Sequence, residues 1–320
     1  MNSNIISLYK NYIFFKNFSY KFIDNDIILF NKNNNNGKNI PALFYSSSSS
    51  IIKHPNYEDR FILNIRCVNY KLFKNTKSTL DTSTSIGFTI NHILILNSYF
   101  CPIGKFIDKP LISRNKYIGI EDIRLFNFNY KIYYIGSIYD YKTNSIKISS
   151  DEYTIGQKYN YNIITPSFKT NLKNEKNWVF FENNNEMFVV YKWSPIYICK
   201  IDYNTKLLNL INEIITPESF NKFRGSTNGV LFDNKIWFIV HSQNDLKNIK
   251  YYTHNFVVLN TDLTIYGYTN SFNFENTLVE FCIGITTRNN NFIITYSTLD
   301  SSTKLCVLSC NFINSLLIKI

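Results

Sequence analysis

The sequence predicts an all-β protein, and within that class a five-bladed β-propeller. Apolar residues alternate with period two along almost the whole of the 320 residues, the pattern of half-buried strands. Short polar turns separate these stretches. One unit recurs: a strand, a polar hairpin and an aromatic-rich strand that ends in a charged or aromatic residue.

The strands follow in order. Alternation marks 61–68, 86–95, 122–128, 131–138, 187–193, 196–202, 230–232, 236–241, 255–260, 292–296 and 305–308. Turns are expected at 127–130, 182–186, 233–235 and 289–291, and a helical turn or two within 207–223. The recurring unit spans 122–140, 178–193, 229–241 and 283–300, with 57–70 as a shorter form. Its starts are separated by about fifty to sixty-five residues, near the length of a four-stranded blade. A single propeller domain over residues 1–320 follows, in which residues 1–50, strand-like from Tyr12 to Phe30 with a turn at Asn33 to Asn36, close or flank the ring. A pair of β-sandwiches is the alternative fold, but it leaves unexplained why charged residues cluster at equivalent ends of the strand pairs.

Composition narrows the class. Hydrophobic residues make up 45% and aromatic residues 17%, enough for a packed core despite the asparagine runs. The surplus of Asn, Ile, Lys, Tyr and Phe is what an AT-rich genome produces, so much of the asparagine is expected to carry no message. The net charge of +11 would suggest nucleic acid, yet the lysines are scattered singly and no nucleic-acid-binding motif appears. The six cysteines form no CxxC pair, which disfavours zinc and a disulfide framework and fits reduced, buried thiols. No window approaches eighteen apolar residues, so a soluble intracellular protein that does not enter a membrane is expected.

Each unit carries one cluster able to do chemistry. These are Arg66 with Asn69 and Tyr70; Glu121, Asp122 and Arg124; Lys176 and Trp178 with Lys192 and Trp193; Arg224 with His241 and His254; and Glu280 with Asp300. Singly, each has a plain alternative: Arg66 an exposed strand charge, Trp193 core, His241 a satisfied core histidine, Arg224 a turn cap, Glu280 an outward strand residue. Jointly, cations, acids and indoles at one end of a ring suit an anionic or polyhydroxylated ligand, because sugars stack on aromatic rings and phosphate takes forked cations. No Gly-rich phosphate loop, catalytic Ser-His-Asp order or HExxH motif is present.

The stretch Gly119-Ile120-Glu121-Asp122-Ile123-Arg124 resembles the Gly-x-Glu-Asp-Pro-Arg signature of glycoside hydrolase family 130 and the related β-1,2-mannosyltransferases of glycosyltransferase family 108. Further similarities run from about residue 55 to 310: an apolar strand ending at Arg66, Glu175 to Trp178, Tyr191 to Pro195, Arg224 to Thr227, a strand ending at His241, and Tyr296 to Asp300. The set is similar to a subgroup found beside glycosyltransferases in giant viruses and some bacteria, which would place the chain in a host cytoplasm. The resemblance implies a five-bladed propeller acting on β-mannosides or similar sugars, with inorganic phosphate or a sugar phosphate as co-substrate and no other cofactor.

By the same resemblance Asp122 is the general acid, and Arg66, Arg124, Lys176, Arg224 and His241 are the candidates for phosphate. Asn69, Glu121, Trp178, Lys192, Trp193, His254, Glu280 and Asp300 complete the substrate site. Ile123 stands where the family has proline, and Asn177 where it has aspartate after the lysine. Phosphate as nucleophile needs no second carboxylate, whereas attack by water would need a base such as Glu280 or Asp300 across from Asp122. A non-catalytic glycan-binding propeller is the alternative function.

Overall fold

A computed structural model describes residues 5–30, 39–72, 78–79, 88–108, 119–246 and 249–320. The expected Asn33 to Asn36 turn and the start of the 86–95 strand, Ile86 and Gly87, lie outside them. Nearly every described element is a strand; one short helix, Cys310–Ser315, and two single 3-10 turns are the exceptions. Among the described residues no helix is long and apolar enough to cross a membrane.

Strand pairing sorts the chain into five antiparallel units. The first runs outward from Asn39–His54 through Tyr57–Val68 and Thr89–Leu96 to Pro102–Asp108. The second comprises Glu121–Phe128, Lys131–Asp140, Ser145–Tyr153 and Ile163–Pro166. The third comprises Val179–Asn183, Glu186–Trp193, Ile196–Asp202 and Leu207–Ile214. The fourth is built on Val230–Phe232, Lys235–Leu246, Ile249–Asn260 and Ile265–Thr269. The fifth comprises Glu280–Arg288, Asn291–Thr298 and Thr303–Ser309, and its outer strand, Phe14–Asn17, comes from the other end of the chain.

Five apolar clusters join consecutive units in a ring. Phe61 and Leu63 of the first pack on Ile293 and Leu305 of the fifth. Ile52 and Ile62 meet Ile120, Ile123 and Leu125 of the second. Phe126 and Ile135 meet Trp178 and Phe180 of the third. Phe181 and Val190 meet Phe238 and Val257 of the fourth, and Trp237 and Phe256 meet Cys282 and Tyr296 of the fifth. No unit could bury both of its faces alone, so the ring is the unit of stability. The chain is thus a β-propeller, and its units are its blades.

Blades approach closely where side chains are small. Ser46 to Ser50 form the channel-facing half of the first inner strand and are buried. The Ser49 carbonyl accepts a hydrogen bond from Thr295 (2.7 Å), and the Ser50 hydroxyl accepts one from the Leu125 amide (3.2 Å). Gly284 lies against the same strand, where a Cβ would fall 2.9 Å from the Cα of Ser50.

The helical turn expected within 207–223 is Glu218–Lys222, and Leu207–Ile214 before it is the outer strand of the third blade, its backbone satisfied by pairing with Ile196–Asp202. Part of the asparagine does carry a message. Asn129, Asn184, Asn185, Asn234, Asn289 and Asn290 all stand at positive φ in two-residue hairpin turns, the backbone region that Asn tolerates better than other L-residues.

Candidate functional site

Most candidate residues lie where inner strands begin or toward the end of second strands, with His254 on the third strand of the fourth blade beside His241, so they share one end of the ring. Local sequence shapes that end. Gly119 has φ +143°, and a Cβ there would fall 2.5 Å from the Thr89 carbonyl oxygen, so the approach requires glycine. Between Glu121 and Arg124 the ladder carries a bulge, with Asp122 at φ 52°. Gly136 stands opposite, where a Cβ would meet Ile120 at 2.5 Å and the Glu121 carbonyl at 2.9 Å. Ile123 is buried in the core between the first two blades. The bulge therefore drives Ile123 inward and leaves the two carboxylates beside it at the channel mouth.

Arg66 organises those carboxylates. Its Nη1 lies 2.9 Å from Asp122 Oδ1 and its Nη2 3.2 Å from Glu121 Oε1. The guanidinium also donates to the hydroxyls of Tyr70 (3.2 Å) and Thr89 (3.3 Å). Asp122 accepts a further hydrogen bond from Ser48 (2.9 Å). Burial alone would raise the Asp122 carboxyl, but Arg66, then Arg124, Ser48 and Lys176, together hold it below the usual carboxylate range. At neutral pH Asp122 is therefore a carboxylate.

Asp300 is the counterpart. Burial pushes its carboxyl up to about 6, aided by the nearby negative charges of Asp122 and Glu121 and opposed by Arg66 and by a Ser47 hydroxyl at 3.5 Å. Its backbone, at φ 47°, turns the hairpin that follows the second strand of the last blade. Two acids near one arginine thus have carboxyls displaced in opposite directions, a pattern common where protons are handled.

Arg124 plays another part. Its Nε donates to the Ser226 carbonyl (2.5 Å), its Nη1 to the Asp122 carbonyl (3.0 Å), and its Nη2 to Asn177 Oδ1 (3.4 Å) and the Gly225 carbonyl (3.5 Å). It is 1% exposed and ties the second, third and fourth blades together. Burial lowers the guanidinium to about 10, with Asp122 opposing the shift. Its hydrogen bonds go to protein carbonyls and an amide, and its field still reaches Asp122. Lys176 and Arg224 are exposed at the rim, and Arg224 donates to Gln243 (3.2 Å). His241, paired in register with Arg224, is kept well below the usual imidazole range by burial, His254, Arg124 and Arg224.

Six further candidates share the end of the ring but lie away from this cluster. Trp178 and Trp193 are 1% and 2% exposed within the cores flanking the third blade, so neither indole offers a face to a ligand. Lys192 caps the Tyr197 ring at 3.6 Å. His254 is fully buried between Phe272 and Phe274, and burial lowers it to about 3. Glu280 accepts the amides of Phe274 (2.5 Å), Glu275 (2.8 Å) and Thr277 (2.9 Å), which uses its carboxylate to hold the preceding turn. Asn69 is also buried, its side-chain oxygen accepting the Phe88 amide (2.7 Å). These corrections share one cause: a strand end can face the channel or the space between blades, and side-chain type does not decide which.

Ser47 and Ser48 were missed. Their signal was the apolar flank on either side of the serine run, Leu43-Phe44 before it and Ile51-Ile52 after it, which marks a strand rather than a polar tract. Among the described residues no group of His, Cys, Asp and Glu could hold a metal ion, and all six cysteines are free, five of them buried.

No family model matches the sequence, and no curated protein matches it either. Solved structures do match in fold. The β-1,2-mannobiose phosphorylase from Listeria innocua, solved with β-1,2-mannobiose, is 13% identical with a TM-score of 0.59, covering 94% of this chain and 99% of that one. A GDP-Man-dependent mannosyltransferase from Leishmania mexicana is 13% identical with a TM-score of 0.52, covering 82% and 86%. A mannose phosphorylase from Leishmania mexicana, solved with a phosphate ion, is 12% identical with a TM-score of 0.50, covering 86% of each. The chain shares the propeller fold of these mannoside enzymes.

Proposed function

We propose that this chain makes or breaks a glycosidic bond in a mannoside, with Asp122 as general acid and phosphate or a sugar phosphate as the second substrate. One observation carries the proposal. Arg66, 5% exposed, clamps the two adjacent carboxylates of the Glu-Asp-x-Arg motif at the mouth of the channel, with Lys176 near enough to act on Asp122.

The same geometry indicates how a carboxylate could become an acid. An incoming phosphate would compete for the Arg66 guanidinium and for Lys176, removing part of the charge that keeps Asp122 ionised and adding negative charge beside it. Both changes raise the carboxyl toward protonation. The protonated acid then gives its proton to the departing glycosidic oxygen as a phosphate oxygen bonds to the anomeric carbon and the old carbon–oxygen bond breaks. Glu121 would orient sugar hydroxyls. Asp300, titrating near neutrality, is the remaining group able to accept a proton if water is the nucleophile, since Glu280 is committed to backbone amides.

The test is an assay of β-mannosides with phosphate, and of mannose 1-phosphate or a nucleotide-mannose in the synthetic direction. Asp122→Asn should keep the fold and sugar binding while lowering turnover by about two to four orders of magnitude. Unchanged turnover in that variant would remove the acid assignment. A wild-type chain that binds mannosides and turns over none of these donors would be a glycan-binding propeller.

A further inference from the structure

A cavity of about 300 Å³ lies in the fourth blade, apart from the Arg66 cluster. Its floor is built by alternate residues of two paired strands: Ser242 and Asn244 on one, Thr253 and Asn255 on the other. His241 and Gln243 alternate with them on the opposite face, where Arg224 lies, so the blade separates this cavity from the central cluster. Phe223, Tyr251 and Tyr268, all half-buried, supply aromatic walls.

The chemistry of this lining is that of a sugar site. Among the described residues that line it, Lys222 alone carries a charge, and it is exposed. The polar groups are hydroxyls and amides, which both give and accept hydrogen bonds as a polyol does. They are also held in place. Asn244 donates to Thr253 (3.2 Å), Asn255 donates to the Thr269 carbonyl (2.8 Å), and Ser271 donates to Asn255 (3.2 Å). Ser242, Thr253, Asn255 and Thr269 are each at most 6% exposed, so their orientation is fixed before a ligand arrives. Concave, aromatic-walled cavities of this size with a few fixed polar groups are typical of small-ligand sites. An anion would find no buried cation among the described lining residues. A neutral oligosaccharide would find hydrogen-bonding partners for its hydroxyls and rings for its apolar faces.

We propose that this cavity is a second, non-catalytic binding site for a neutral oligosaccharide. A chain held there would raise the effective concentration of its free end at the same end of the ring. The choice of mannose in the probe rests on the proposed function; the site itself rests on its own lining.

The experiment is calorimetric titration of the whole chain with neutral mannotetraose, without phosphate, beside Tyr251→Ala and the mouth-filling Asn270→Trp. Melting temperature serves as the fold control, and Asn270 is exposed, so at least the second variant should fold. Two bound ligands falling to one in either folded variant is the expected result. One ligand falling to none would support this site while removing the central sugar site. A stoichiometry unchanged by both substitutions, or no binding by the wild type, would overturn the inference.

Discussion

Arg66 lowers the carboxyls of both Asp122 and Asp300, yet burial outweighs it at Asp300 and not at Asp122, and the opposite net displacements have a measurable consequence. The Asp300 carboxyl is raised to about 6, above its ordinary value of 3.8. Between those values the folded chain holds a proton that the unfolded chain has released, so this contribution to stability is complete below pH 3.8 and is lost as pH rises through 6. Asp122 acts in the other sense, since its depressed carboxyl stabilises the fold above its ordinary value and fades as pH falls through its folded one. Asp300→Asn should therefore flatten the decline in denaturation midpoint from pH 4 to pH 6. An unchanged slope would mean that Asp300 is ionised throughout. The charged residues of this site were legible by type and motif, whereas Ser47, Ser48 and the direction of each shift were not, because the shifts depend on burial and on the shared partner Arg66.

At the scale of elements, the hairpins show how much a biased composition can still specify. Four connections, at 129–130, 184–185, 233–234 and 289–290, place both central residues at positive φ, the geometry that matches the twist of the flanking strands. Asparagine or aspartate fills seven of these eight positions. Tyr130 is the exception: it is 82% exposed and packs little, yet has φ 62°. Tyr130→Gly would give the favoured Asn-Gly pair and should stabilise the chain by about 0.5–1 kcal/mol, the left-handed penalty being partly offset by the freer unfolded glycine. A lower denaturant midpoint in this variant would show that the exposed ring packs after all. Two irregularities shape the site, the bulge at Asp122 and the register shift between Ser46 and Ser49 that carries Ser47 and Ser48, and for the first of them the glycines around it hinted at its position.

At the scale of the molecule, the propeller closes by joining distant parts of the chain. Phe14–Asn17 completes the last blade, and the Tyr12 hydroxyl donates to that of Tyr296 (3.1 Å), which in turn donates to Glu275 (2.5 Å). Tyr12 also packs against the core between the fourth and fifth blades. Loss of this strand would uncover Val307 and Leu305 of its neighbour and break the ring at one seam. Removal of residues 1–17 should therefore lower the melting temperature of the whole chain and broaden its transition, as blades adjoining an open edge lose their shared cores. A sharp transition at the wild-type temperature would show that the strand is dispensable.

The sequence by itself determined the all-β class, the recurrence of five strand units and the Glu-Asp-x-Arg motif, because alternation, turn chemistry and local motifs are written in neighbouring residues. Only the tertiary structure decided which of the residues at the strand ends meet. Arg66 reaches Asp122 across 56 positions and Arg124 reaches Ser226 across 102, while Trp178, Trp193, His254 and Glu280 turn into the seams between blades. The physical reason is the closure of the ring: it sets the angle at which each blade presents its strand end, and a rotation of one side chain from channel to seam leaves no trace in the local pattern of residues.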